Sequence, residues 1–204
     1  MASLLTIFAL MLVALNVALS GLVIEPMARI NKKLEALATK DFLTDLVNRR
    51  RFFEQLESAM AASRVNKSGL SVVIFYLDLF KRINDTFGHD SGDVALKNTA
   101  LRVRELLRSS DCAARMGGEE FIILLSETRI DAAMAIAEAV RGKIANVPFE
   151  RVGSVSASFG VAEWDMKEDA RTLLNRADRA LYRATGTGRN RVVRAEAASN
   201  ETSV

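Results

Sequence analysis

The chain has 204 residues, half of them hydrophobic, and 28 Lys and Arg against 25 Asp and Glu leave a net charge of +3. That length suits one ordinary core plus a smaller appendage, and so modest a charge does not point to a nucleic-acid binder. The lone Cys112 excludes an internal disulfide framework and agrees with a reducing compartment, and no Cys/His spacing of the zinc type is present.

From Leu4 to Ile24 the chain carries no charged residue. At ~1.5 Å of rise per residue, such a run is long enough to cross a hydrocarbon core of ~30 Å. A signal peptide cleaved near Ala18-Leu19-Ser20 is the alternative. Met1-Ala2-Ser3 lacks a basic residue and the apolar run continues past that site, which favours a transmembrane helix over residues 1–25. The basic residues that follow (Arg29, Lys32, Lys33, then Arg49, Arg50 and Arg51) predict a single pass through an inner membrane with the C-terminal body in the cytoplasm. Met1 to Ser3 leaves no room for an extracellular sensor, so the input would come from a membrane sensor partner or from a longer protein of which this is a fragment.

Residues 26–40 form a second segment. Pro26 can open a helix, and Met27, Ile30, Leu34 and Leu37 make an a/d seam less than two heptads long. It reads equally as an amphipathic linker and as a signalling helix that pairs two copies.

The body spans residues 41–194. Asp41-Phe42-Leu43-Thr44-Asp45 predicts a turn into a helix from about Asn48 to Val65, and the β-branched and aromatic run Leu70 to Asp78 predicts a buried strand. A polar helix-loop segment, Phe80 to Asp93, precedes a helix whose core face is Leu96, Ala100, Val103 and Leu107. Ala113–Met116 and Phe121–Leu125 predict two strands joined by a Gly-Gly turn. Ala133, Ile136, Ala137, Val140 and Ile144 mark another helix with Asp131 as its N-cap. A strand Val155–Trp164, a helix Ala170–Arg183 and a short strand Arg191–Val193 follow, and the small polar tail 195–204 is expected to be disordered. The order implies an α/β layered sandwich, α+β in detail, with a mixed central sheet, flanking helices and one Gly-Gly β-hairpin.

Gly117-Gly118-Glu119-Glu120 taken alone is an ordinary tight turn with two solvated acids. Its surroundings give it more meaning. A turn without Cβ atoms lets a ligand lie against the backbone, and adjacent carboxylates suit Mg²⁺. A second polar cluster, Lys81, Asn84, Asp85, His89, Asp90 and Asp93, sits just past the end of a buried strand, where open α/β sheets bind ligands.

Four segments together resemble the GGDEF, or diguanylate cyclase, family, whose fold is nucleotide-cyclase-like. They are Asp41-Phe42-Leu43-Thr44, Phe80-Lys81-Arg82-Ile83-Asn84-Asp85-Thr86-Phe87-Gly88-His89-Asp90-Ser91-Gly92-Asp93, Gly117-Gly118-Glu119-Glu120-Phe121 (a GGEEF variant), and Arg176-Ala177-Asp178-Arg179-Ala180-Leu181-Tyr182 with Gly188-Arg189-Asn190. The resemblance implies condensation of two GTP into cyclic di-GMP and pyrophosphate by a homodimer, each subunit holding one GTP, with Mg²⁺ or Mn²⁺ as cofactor. It implies guanine contacts from Asn84 and Asp93, the nucleotide against Gly117 and Gly118, and phosphates facing Lys81 and the backbone of Leu79 and Phe80. Arg189 would reach the terminal phosphate. Glu119 and Glu120, with the Leu77 carbonyl, would form the catalytic metal site. His89 has the duller reading of a residue that orients its loop. Arg108-Ser109-Ser110-Asp111 ends with five residues between it and Gly117, as the family's inhibitory product site does.

Two positions depart from the family pattern. Tyr76 occupies the usual metal-ligand aspartate, and a neutral phenol is a poor ligand for Mg²⁺. Thr185 stands where a lysine usually meets the terminal phosphates. Asp78, on the same strand face as Tyr76, is the alternative metal ligand, and Arg183 is placed to compensate for Thr185. Two functions therefore compete, an active cyclase and a degenerate module that binds cyclic di-GMP or GTP and signals to a partner.

Overall fold

A computed structural model describes residues 4–19 and 39–197. The chain divides into two units, Met1–Thr39 and Lys40–Val204. The described part of the first is helix α1, Leu4–Leu19, of 16 residues. Among the described residues no helix is long and apolar enough to cross a membrane. The transmembrane helix expected over residues 1–25 is therefore not supported, and the seam expected over 26–40 lies almost wholly outside the described residues.

The second unit opens with strand β1, Val47–Asn48, and helix α2, Arg49–Asn66. The Asn48 side chain accepts from the Arg51 amide at 3.0 Å, which caps the helix, and left-handed Lys67 ends it. Strand β2, Leu70–Leu77, precedes helices α3, Phe80–Phe87, and α4, His89–Arg104. Strands β3, Cys112–Gly117, and β4, Glu120–Ser126, form the hairpin. Helix α5, Ile130–Asn146, strand β5, Ala157–Glu163, helix α6, Ala170–Gly186, and strand β6, Val192–Arg194, complete the unit.

The six strands make one mixed sheet in the order β1-β3-β4-β2-β5-β6, with β1–β3 and β5–β6 parallel and the other pairs antiparallel. β2 lies at the centre with both faces covered, which is why it reads as a continuous apolar run rather than an alternation. Val73, Phe75 and Leu77 face the core shared with α3, α4 and α5, whereas Val72 and Ile74 face α2 and α6. Phe75 stacks between Phe121 and Phe159, with ring centroids 5.1 and 4.7 Å apart, and these three rings pin the register of the central strands.

Local differences from the expected elements have physical causes. β1 is only two residues long, too short to leave a periodic signal. The polar stretch expected as helix and loop is two helices broken at Gly88, whose φ of 82° no helix can continue. α4 stops at Arg104, so Leu107 packs on the core from the following turn. Asp131 does not cap α5. The helix begins one residue earlier, and its Ile130 amide donates to the Glu163 carboxylate of β5 at 2.9 Å, a cap supplied across the fold.

Candidate nucleotide site

The hairpin turn is built on backbone freedom. Gly117 has φ 144° and Gly118 φ 51°, and neither would meet an obstacle if it carried a Cβ, so torsion rather than space calls for glycine. Arg115 holds the turn, its Nε and Nη2 donating to the Gly118 carbonyl at 3.0 and 2.8 Å. Its other nitrogen pairs with Asp41 at 3.2 Å, both side chains being largely buried. Asp41 also accepts from the Thr44 amide and hydroxyl at 2.9 and 2.6 Å. Burial pushes the Asp41 carboxyl up, but the two Thr44 bonds and the Arg115 guanidinium outweigh it and hold it below its ordinary value. Arg115 was not singled out from the sequence. The structure makes it the tie between the entry of the unit and the hairpin.

The sheet register carries the hairpin acids to the end of β2. Glu120 pairs with Tyr76, and the Glu119 carbonyl accepts from the Leu77 amide at 3.4 Å. Burial raises the Glu119 carboxyl above its usual value. Burial and the Asp178 carboxylate likewise raise Glu120, against the pull of Arg49 and of the Tyr76 hydroxyl. Burial, Glu120 and Asp178 push the Tyr76 phenol up to about 12. It therefore stays protonated opposite Glu120. Two half-buried carboxyls raised in this way are a donor pair that a cation would relieve. With the Leu77 carbonyl they suit Mg²⁺, which needs only one or two protein carboxylates beside phosphates and water. Among the described residues no three His, Cys, Asp or Glu side chains converge as a metal cluster.

Beyond β2 the chain turns through Leu79, at φ 58°, into α3, whose N-terminus has no side-chain cap. The amides of its first turn thus face the loop region, as phosphate-binding helix termini do. Asn84 lies against Gly92, where an added Cβ would stand 1.9 Å from the Asn84 Oδ1. Only glycine lets Asn84 sit beside the first turns of α4, the helix that carries Asp93. His89 is the exposed first residue of α4.

Residues 38–191 match the family described as "Diguanylate cyclase, GGDEF domain". The chain belongs to that family. Diguanylate cyclase A of Treponema denticola is 38% identical over 169 residues, which cover 79% of this chain and 46% of that protein. The chain thus spans less than half of that relative's length. The GGDEF domain of DgcB from Caulobacter crescentus, solved with c-di-GMP, superposes with a TM-score of 0.76 at 32% identity, covering 78% of this chain and 97% of that one. SiaD from Pseudomonas aeruginosa, solved with its activator SiaC, gives a TM-score of 0.74 at 36% identity, covering 92% and 73%.

Within this GGDEF domain, the side chains expected to compensate for the two departures are already committed. Asp78 is buried and accepts from the Ser156 and Ser158 hydroxyls at 2.6 and 2.7 Å and from the Asn190 amide at 3.1 Å. It locks the end of β2 to β5 and to the turn before β6. Three donors thus already converge on its oxygens. The Thr185 hydroxyl donates to the Tyr182 carbonyl at 2.8 Å, and Arg183 donates to the Arg194 carbonyl at 3.1 Å and pairs with Glu196 at 3.4 Å. Arg183 is thus turned toward the last strand.

Arg108 and Asp111 close a turn, the Arg108 amide donating to the Asp111 carboxylate at 3.0 Å and the Asp111 amide to the Arg108 carbonyl at 3.1 Å. They border a cavity of about 280 Å³ together with Lys40, Gln55 and Arg104. The second Asp111 carboxylate oxygen is buried there without a donor.

Proposed function

We propose that this chain is a diguanylate cyclase, condensing two GTP into cyclic di-GMP and pyrophosphate with one nucleotide held by each subunit of a homodimer. The register that sets Glu120 beside Tyr76 carries the reading. It brings the Gly117–Glu120 turn to the end of β2 and so to the uncapped first turn of α3. Asn84 and Asp93 would read the guanine edge. Lys81 and the amides of Leu79 and Phe80 would hold the phosphates, with Arg189 at the terminal one. Glu119 and Glu120, with the Leu77 carbonyl, would hold Mg²⁺ or Mn²⁺, which when bound neutralises charge on the phosphates. The chain's residues do the rest by positioning, so that the 3′-hydroxyl of each nucleotide lies in line with the α-phosphate of the other. Arg108 and Asp111 would bind the product and inhibit.

One observation favours a second reading. The Tyr76 phenol lies opposite Glu120 in the register and stays protonated, a poor ligand where the family has an aspartate, which favours a weak cyclase or a module that binds GTP or cyclic di-GMP without turnover. Incubating the full chain with GTP and Mg²⁺ and assaying cyclic di-GMP separates the two. A rate per subunit that rises with protein concentration is expected of paired half-sites. Binding of GTP without product would establish the module.

A further inference from the structure

Helix α3 presents a second side. Leu79, Arg82 and Thr86 lie along it, away from Asn84, and wall a cavity of about 570 Å³ closed opposite by Ser156 and the Gly188-Arg189 turn. Arg82 and Arg189 are both exposed, and among the described residues no side chain or carbonyl accepts from either guanidinium. The one carboxylate in the wall, Asp78, already accepts three hydrogen bonds. The cavity therefore holds two unpaired cations and no free acid, next to the uncapped amides at the start of α3. Helical side chains lean toward the N-terminus, so Arg82 leans back over the Leu79–Phe80 turn.

We propose that Arg82 grips the terminal phosphates of the nucleotide together with Arg189, and holds the pyrophosphate before its release. It supplies the second cation that Thr185 lacks and that Arg183, turned to β6, does not provide. The inference rests on the GTP-binding reading above, and arginine's fork of donors matches phosphate oxygens.

Calorimetry on the full chain tests it with three probes in Mg²⁺: 3′-deoxy-GTP, which lacks the attacking hydroxyl, GMP, and inorganic pyrophosphate. Arg82→Ala should weaken 3′-deoxy-GTP and pyrophosphate roughly 10-fold or more, the scale of one charge-assisted contact, and leave GMP unchanged. Arg82→Lys should restore part of the loss, as should Thr185→Lys added to Arg82→Ala. Unchanged affinity for 3′-deoxy-GTP and pyrophosphate in Arg82→Ala overturns the role of Arg82 and leaves the nucleotide reading standing. An equal loss for GMP overturns it too, since the effect would then not lie at the terminal phosphates. Pyrophosphate binding that depends on Arg82, in a chain that binds no 3′-deoxy-GTP, keeps the anion site and removes the nucleotide reading. Binding of neither probe by the parent overturns both.

Discussion

Tyr76→Asp tests the metal-facing corner most directly. The substitution removes a half-buried ring worth about 1 kcal/mol, a fraction of the 1.5–3 kcal/mol for full burial of a large apolar side chain. It adds a third carboxyl beside Glu119 and Glu120, whose own acids are already raised. Two like charges ~5 Å apart at an effective dielectric of ~20 repel by about 3 kcal/mol, an upper figure because the corner is partly open and the new acid can take up a proton. The metal-free variant should therefore be destabilised by roughly 2–4 kcal/mol, a fall in melting temperature on the order of 10 °C. In Mg²⁺ the sign reverses, because a third carboxylate adds about one charge-assisted contact and should tighten divalent binding roughly 10–100-fold. Thermal unfolding against Mg²⁺ concentration reads both effects, and cyclic di-GMP production should rise in parallel. A metal-free melting temperature and a Mg²⁺ midpoint both equal to the parent's would refute the placement of Tyr76 at the metal corner.

Three further outcomes follow from the same geometry. Asp78→Asn should lower stability by about 1.5–3 kcal/mol, since its amide cannot accept from all three donors, while Mg²⁺ affinity stays at the parental value; a large loss of Mg²⁺ affinity at unchanged melting temperature would make Asp78 a ligand. Arg115→Ala strips Asp41 and the Gly118 carbonyl of a largely buried partner and should cost about 3–5 kcal/mol in denaturant unfolding. Because the Asp41 carboxyl lies below its ordinary value in the fold, its contribution is present above pH ~4 and is lost as pH falls through the folded value, so the acid limb should flatten in Arg115→Ala. Arg108→Ala should abolish cyclic di-GMP binding in calorimetry, and affinity equal to the parent's would reduce Arg108 and Asp111 to a structural turn.

The parts of the fold with strong local signals were legible in the sequence. α2 begins at Arg49 because Asn48 caps it, and β2 announces itself by an unbroken apolar run that only a strand buried on both faces carries. Signals that depend on distant partners were not legible. The cap of α5 comes from Glu163, 33 residues away, so Asp131, the candidate chosen from local sequence, was the wrong one. The apolar run from Leu4 carries a membrane signal by composition, yet among the described residues no helix is long and apolar enough to cross a membrane.

The site follows the same division. Glu119, Glu120, Asn84 and Asp93 are conspicuous because polar residues cluster at turns, and strand pairing alone then brings Glu120 to Tyr76. What holds them was silent. Gly92 looks like any helix-start glycine until the Asn84 side chain is found in the space of its missing Cβ. Arg115 looks like an exposed strand residue until Asp41, 74 positions away, is found on its guanidinium. Asp78 shows how position without partners misleads. Two residues from Tyr76, it was placed by strand period on the same face, open to a metal. Its neighbours are Ser158 of β5 and Ser156 just before it, and with the Asn190 amide their hydroxyls put three donors on its oxygens. The face a side chain occupies follows from strand period; whether it is free to bind anything follows only from what lies across the sheet.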